Sequence, residues 1–189
     1  MTRNKATDSI ELFHDYNVHV PTRTIYLGSQ MYLEGSEESG TDFLMAESLT
    51  KNLRVLNHLS DDPITIVMCN PGGSDYYMYS MYDEIKASSA HVTIIGSGYV
   101  ASAGAFIMQA ADHRIMRPHA RFMIHYGSGG IYDAEWQVLC EVYKGVLLES
   151  LRKKHPKFKE SKLEEWLLHP HTWFSAQEAA SYGFIDEVL

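Results

Sequence analysis

Apolar residues recur along the chain with two spacings that take turns. Phe43, Ala46, Leu49, Leu53, Leu56 and Leu59 lie three or four apart, the period of an amphipathic helix. Ile64-Thr65-Ile66-Val67-Met68-Cys69 is a short apolar run between Pro63 and Asn70-Pro71-Gly72-Gly73. Such a run predicts a buried parallel strand. Helical spacing returns from Tyr76 to Ile85, with Met78, Met81, Tyr82 and Ile85 on the core side. Val92-Thr93-Ile94-Ile95 predicts the next strand and Ala103 to Ala111 a helix. Two further strands are expected, around Arg114-Ile115-Met116 and over Arg121 to His125.

A long helix is predicted over Ala134–Lys154, with Leu139, Val142, Tyr143, Val146, Leu147 and Leu151 on one side. Gly145 inside it costs up to about 1 kcal/mol relative to alanine. A short acidic helix follows over Ser161–Leu168. Ser175 then caps a last helix, with Glu178 in the capping-box position and Gly183 closing it. At the other end, Thr24-Ile25-Tyr26-Leu27 reads as a strand, and Met31 to Thr41, with Gly35, Ser36, Ser39 and Gly40, as a loop. Strands alternating with helices define an α/β domain with a mostly parallel sheet. Residues 1–22 are expected to form a flexible N-terminal arm, and residues 23–189 a single domain.

Composition narrows the class of protein without naming it. The chain is 45% hydrophobic and 21% charged, ordinary for a globular domain, with a net charge of −8. That balance argues against nucleic acid or an anionic membrane as the main partner. Cys69 and Cys140 fall in apolar segments and are expected to be buried free thiols, as in a reducing compartment. No apolar run reaches transmembrane length, and the cytoplasm is the expected location.

Three small motifs carry chemistry. In Gly98-Tyr99-Val100-Ala101-Ser102-Ala103-Gly104-Ala105, one serine sits among small residues at a strand-to-helix junction. A helix N-terminus offers unpaired N–H groups and partial positive charge, which suit a serine that attacks a carbonyl and then stabilises an oxyanion. Read by itself, Ser102 is better taken as a helix N-cap packed beside small residues. Gly72-Gly73 allow backbone shapes closed to other residues, so an N–H can face a ligand; alone they read as a tight turn. His125 ends an apolar strand beside a glycine-rich stretch, where a lone histidine is more often a satisfied core group than a base. Together the three supply a nucleophile, a base and oxyanion donors, the minimum for acyl transfer.

Taken in order, these pieces resemble the proteolytic subunit of the Clp protease, ClpP. The matching segments are Asn-Pro-Gly-Gly at 70–73, Tyr-Asp at 82–83, Ala-Ser-Ala-Gly-Ala at 101–105, Met-Ile-His at 123–125, Gly-Gly at 129–130, Phe-Ser-Ala-Gln-Glu-Ala at 174–179 and Tyr-Gly-Phe-Ile-Asp at 182–186. The resemblance implies a ClpP/crotonase-like fold of repeated ββα units with a protruding handle helix, here from about Ala134. It implies a homo-oligomer of two stacked heptameric rings, forming a self-compartmentalised serine endopeptidase. The substrates would be unfolded polypeptides fed by a AAA+ ATPase, with no cofactor or metal. By position, Ser102 would be the nucleophile and His125 the general base, with the N–H groups of Gly73 and Ala103 as oxyanion hole.

The chain departs from the family where the third triad member belongs. That position is His171, in His169-Pro170-His171, and no carboxylate lies within four residues of it on either side. His171 itself is one candidate to orient the base; a distant acid such as Asp75, Asp133, Glu135 or Glu165 is another. The alternative is a weakly active or inactive ring subunit that pairs with an active paralogue. A crotonase-like acyl-CoA enzyme shares the fold, but the Ser102/His125 pair argues against it. The strand before Pro71 carries Thr65 and Val67 where the family places aromatics that line the ATPase docking pocket.

Overall fold

The computed structural model describes residues 11, 13–27, 40–127 and 134–189. The predicted loop over 31–41 falls almost wholly outside the described residues, as do Gly129 and Gly130. Among the described residues eight strands form one sheet: β1 (Val18–His19), β2 (Thr24–Leu27), β3 (Ile64–Asn70), β4 (Val92–Ala101), β5 (His113–Met116), β6 (Arg121–Ile124), β7 (Thr172–Ser175) and β8 (Glu187–Val188). Six α-helices after residue 40 pack around it among the described residues: α1 (Phe43–Leu59), α2 (Asp75–Lys86), α3 (Ala103–Met108), α4 (Ala134–Lys154), α5 (Glu160–Leu168) and α6 (Ala176–Tyr182).

The sheet is parallel through β2, β3, β4, β5 and β8, with β1 and β7 pairing antiparallel at its margins. Alternate residues of β3 (Ile64, Ile66, Met68 and Asn70) are fully buried, as the apolar run requires. Helix α1 buries Leu49, Leu53 and Leu56 against the sheet, and Asp42 caps it by accepting from the Met45 N–H. Helix α6 has the predicted capping box between Ser175 and Glu178.

Three expectations are corrected. Val18–His19, placed in a flexible arm, forms β1 and pairs with Thr24 and Ile25; Val18 is buried, and the Asn52 amide holds the Tyr16 carbonyl at 2.7 Å. Helix α3 ends at Met108, three residues early, where the chain turns through 109–112 to enter β5. Cys69 and Cys140 are free but half-buried.

Strand β4 extends well past its predicted end at Ile95, and that extension builds the site. Thr93–Gly96 pairs with β5, whereas Tyr99–Ala101 pairs with β6. Gly98, at a φ of 61°, allows the bend between the two halves. The crossing aligns Ala101 with Met123, so Ser102 and His125 emerge side by side.

Candidate active site

Ser102 occupies the turn between β4 and α3 with φ 53° and ψ −118°, a region that L-residues rarely adopt. Such conformations persist only where surrounding contacts enforce them. Here the Ser102 N–H donates to the Met123 carbonyl at 2.8 Å, and the Ser102 carbonyl accepts from the Phe106 N–H and, at 3.2 Å, from the buried Tyr143 hydroxyl of α4. The side chain makes no capping bond to the helix. The N-cap reading of Ser102 therefore fails in its side chain: Oγ instead lies 2.9 Å from Nε2 of His125.

The other nitrogen of His125 lies 2.9 Å from the carbonyl oxygen of Pro170. A carbonyl only accepts, so Nδ1 carries the proton and Nε2 presents its lone pair to the Ser102 hydroxyl. Among the described residues, none of the expected side chains fills this role. His171 is exposed and lies against His125, ring centroids 5.6 Å apart at 30°, but shares no hydrogen bond with it. Glu165 pairs with Lys162. Asp133 lies outside the described residues, and among those described no carboxylate bonds to His125.

Burial holds the His125 pKa below its ordinary value. The Pro170 carbonyl works the other way by favouring the protonated ring, and the neighbouring His171 adds to the depression. His125 is therefore mainly neutral at pH 7, the form that accepts a proton.

The Asn-Pro-Gly-Gly turn packs against the serine. The fully buried Asn70 fixes it, accepting from the Gly72 N–H at 2.8 Å and donating to Thr41 Oγ1 at 3.0 Å. Gly72 has φ 111°, and a Cβ there would lie 2.7 Å from Ser102 Cβ. Thr41 bridges the turn by donating to Gly72 and accepting from Ser74, which leaves the N–H of the exposed Gly73 out of the pairing. The Ala103 N–H, first in its helix, has no intrahelical acceptor.

Beside His125 opens a cleft of about 730 Å³, lined by Trp136 and Cys140 of α4, by Leu167 and Leu168 at the end of α5 and by Pro170 just beyond it. A much smaller cavity lined by Ser102, Asp75, Tyr79 and Tyr143 shares His125, Tyr126, Trp136 and Cys140 with it. Among the described residues no three His, Cys, Asp or Glu side chains come together as a metal site, and no helix is long and apolar enough to cross a membrane.

Sequence reasoning missed Pro170, because a main-chain acceptor has no residue-type signature. It also missed Tyr143, which was expected only as a core residue.

This architecture is that of the ClpP proteolytic subunits. ClpP1 from Listeria monocytogenes superposes with a TM-score of 0.77 at 28% identity, over 90% of this chain and 92% of that one; a point mutant of the same protein superposes equally well. The ATP-dependent Clp protease proteolytic subunit 2 of Pseudomonas aeruginosa is 32% identical over 157 residues, 79% of this chain and 77% of the relative. That of Treponema denticola is 28% identical over 194 residues, 98% of this chain and 90% of the relative. The family model for Clp protease matches residues 16–189, and the chain belongs to that family.

Proposed function

We propose that this chain is an active serine endopeptidase subunit, with Ser102 as nucleophile and His125 as general base. The observation that carries the reading is the continuous path from Ser102 Oγ through both His125 nitrogens to the Pro170 carbonyl. With Nδ1 protonated and tethered, Nε2 takes the hydroxyl proton as Oγ attacks the peptide carbonyl, then delivers it to the leaving amine. The oxyanion is received by the N–H groups of Gly73 and Ala103; each such donor is worth on the order of 100- to 1000-fold in rate. Water enters by the same route to release the acyl-enzyme.

A carbonyl dipole orients the imidazole as a carboxylate would, but it lacks the full negative charge that stabilises an imidazolium. The reading is thus of a competent but moderated peptidase. Among the described residues no carboxylate bonds to His125, which also favours a second reading, a weakly active ring subunit paired with an active paralogue.

In either reading, subunits assemble as stacked heptameric rings around a chamber that receives unfolded polypeptides from a AAA+ ATPase. The peptidase domain takes in residues 18–189, since β1 already belongs to its sheet. Helix α4 suits the ring-to-ring contact: it buries Tyr143, Leu147 and Leu151 on one side and leaves Val138 and Val142 exposed on another.

A fluorophosphonate probe followed by site mapping tests the proposal. Labelling of Ser102 in assembled protein, with peptide hydrolysis lost in an assembled Ser102→Ala variant, is expected. An unlabelled Ser102 would favour the structural role, and undiminished cleavage by Ser102→Ala would remove that residue from the mechanism.

A further inference from the structure

Asp75 stands in the small cavity beside Ser102, and the mechanism does not use it. It opens α2, two residues after Gly73, and shares the cavity with Ser102, His125, Tyr79, Trp136 and Tyr143. Its carboxylate makes no hydrogen bond or ion pair among the described residues. The two nearby hydroxyls are committed elsewhere: Tyr79 donates to the Leu139 carbonyl at 2.6 Å and Tyr143 to that of Ser102. Neither cavity is lined by a lysine or arginine. The first cation along α4, Lys144, is engaged by Glu141, Glu160 and Glu164. Of the acids lining the two cavities, Glu141 and Glu164 thus have partners, and Asp75 has none among the described residues.

A half-buried carboxylate without a partner is costly, and burial raises the Asp75 pKa with no cationic group offsetting it. A cationic group brought in by a ligand would remove that cost. The walls suit one: Tyr79, Trp136 and Tyr143 are aromatic, and their ring faces attract ammonium and guanidinium groups. The cavity itself is narrow, about 10 Å³, room for roughly one water. Only a charged tip fits beside Asp75; the stem of such a side chain would lie in the adjoining cleft of about 730 Å³, which shares Trp136 and Cys140 with this cavity.

From this we infer that Asp75 is a specificity-determining residue, selecting a lysine or arginine side chain on the substrate residue whose carbonyl Ser102 attacks. The inference rests on the peptidase reading of the site. A charge-assisted hydrogen bond to a buried carboxylate is worth roughly tenfold or more in selectivity.

The test is a set of fluorogenic peptides that differ only in that residue: lysine, arginine, norleucine, leucine and glutamate. The wild-type protein should cleave the lysine and arginine peptides with kcat/KM at least tenfold above norleucine. Asp75→Asn should erase the difference by lowering the basic substrates alone, and Asp75→Glu should restore part of it. A wild-type preference for norleucine or leucine, or a ratio unchanged in Asp75→Asn, overturns the inference. If no peptide is cleaved, the peptidase reading has failed, and the inference is decided by binding instead. Fluorescein-labelled peptides ending in lysine should then bind Ser102→Ala protein more tightly than those ending in norleucine, and equal affinities overturn it.

Discussion

The Nδ1–H of His125 donates to the carbonyl oxygen of Pro170 at 2.9 Å, so a main-chain atom holds the imidazole in the tautomer that faces Ser102. The adjacent side chain, His171, contributes no hydrogen bond and a neighbouring imidazole where a carboxylate would contribute a negative charge. Orientation is preserved while imidazolium stabilisation is weakened.

His171→Asp should therefore raise peptidase activity. A carboxylate next to His125 would stabilise the charged ring that forms during attack, and a triad aspartate of this kind is worth up to about 10⁴-fold in kcat. Because the Pro170 carbonyl already orients the ring, a gain of roughly tenfold to a hundredfold in kcat is expected, with little change in KM. Steady-state kinetics on a short fluorogenic peptide measures it. A variant no faster than wild type would mean that ring orientation alone limits the reaction.

The pH profile follows from the same surroundings. His125 must be neutral to accept the serine proton, and burial together with His171 holds its pKa below the ordinary value of about 6.5. The acid limb of kcat/KM should fall below that pH, with activity lost as pH drops through it. In His171→Asp the limb should move upward, because an anionic neighbour favours the protonated ring. Profiles of the two proteins on one substrate check both directions.

Gly72→Ala should silence Ser102 while leaving the fold in place. The added Cβ would meet Ser102 Cβ at 2.7 Å and Oγ at 3.1 Å, and φ 111° is itself unfavourable for alanine. The backbone strain costs on the order of 1–3 kcal/mol, which a domain of this size tolerates. Fluorophosphonate labelling should fall by 100-fold or more, with an unchanged circular dichroism spectrum.

What the residue pattern reveals depends on how local the cause is. Helices α1 and α4 were legible to within a residue, because seventeen and twenty-one residues of periodic apolar positions leave few alternatives. Ser102 and His125 were legible as a pair only through the order of motifs around them. The second half of β4 was not, since Gly96-Ser97-Gly98-Tyr99 interrupts its apolar run. Strand β7 was hidden for a related reason: Thr172–Ser175 reads as a connection between helices, and only its pairing with Arg121–Ile124 makes it a strand. The Pro170 carbonyl is placed by that same pairing, three-dimensional information that a list of side chains lacks.

Val142→Glu should weaken assembly without unfolding the subunit. Val142 is 45% exposed on α4, so a charge there costs the isolated chain little, yet it would be desolvated if α4 is the contact between rings. Size-exclusion chromatography with light scattering should show a shift from the double-ring mass to single rings or smaller species. An unchanged mass would place the contact elsewhere.

Arg114→Ala should destabilise the fold in a pH-dependent way. The Arg114 guanidinium grips Asp186 through Nε at 3.0 Å and Nη2 at 2.6 Å, and donates from Nη1 to Gln109 at 2.7 Å. Gln109 in turn donates to the carbonyls of Ala105 and Phe184, so one network ties the chain's last segment to the helix that follows Ser102. Burial pushes the Asp186 carboxyl up, but its hydrogen bonds to the Arg114 side chain and backbone outweigh this and hold it below the ordinary range. A depressed folded-state pKa contributes stability that is present above the unfolded value and lost as pH falls through the folded one. Asp186 is about one-third exposed, so the discounted cost of Arg114→Ala is about 2 kcal/mol at neutral pH, a Tm lower by several degrees. The gap to wild type should narrow on acidification below the carboxylate range, and a gap independent of pH would mean that packing of the arginine stem, not the ion pair, carries the effect.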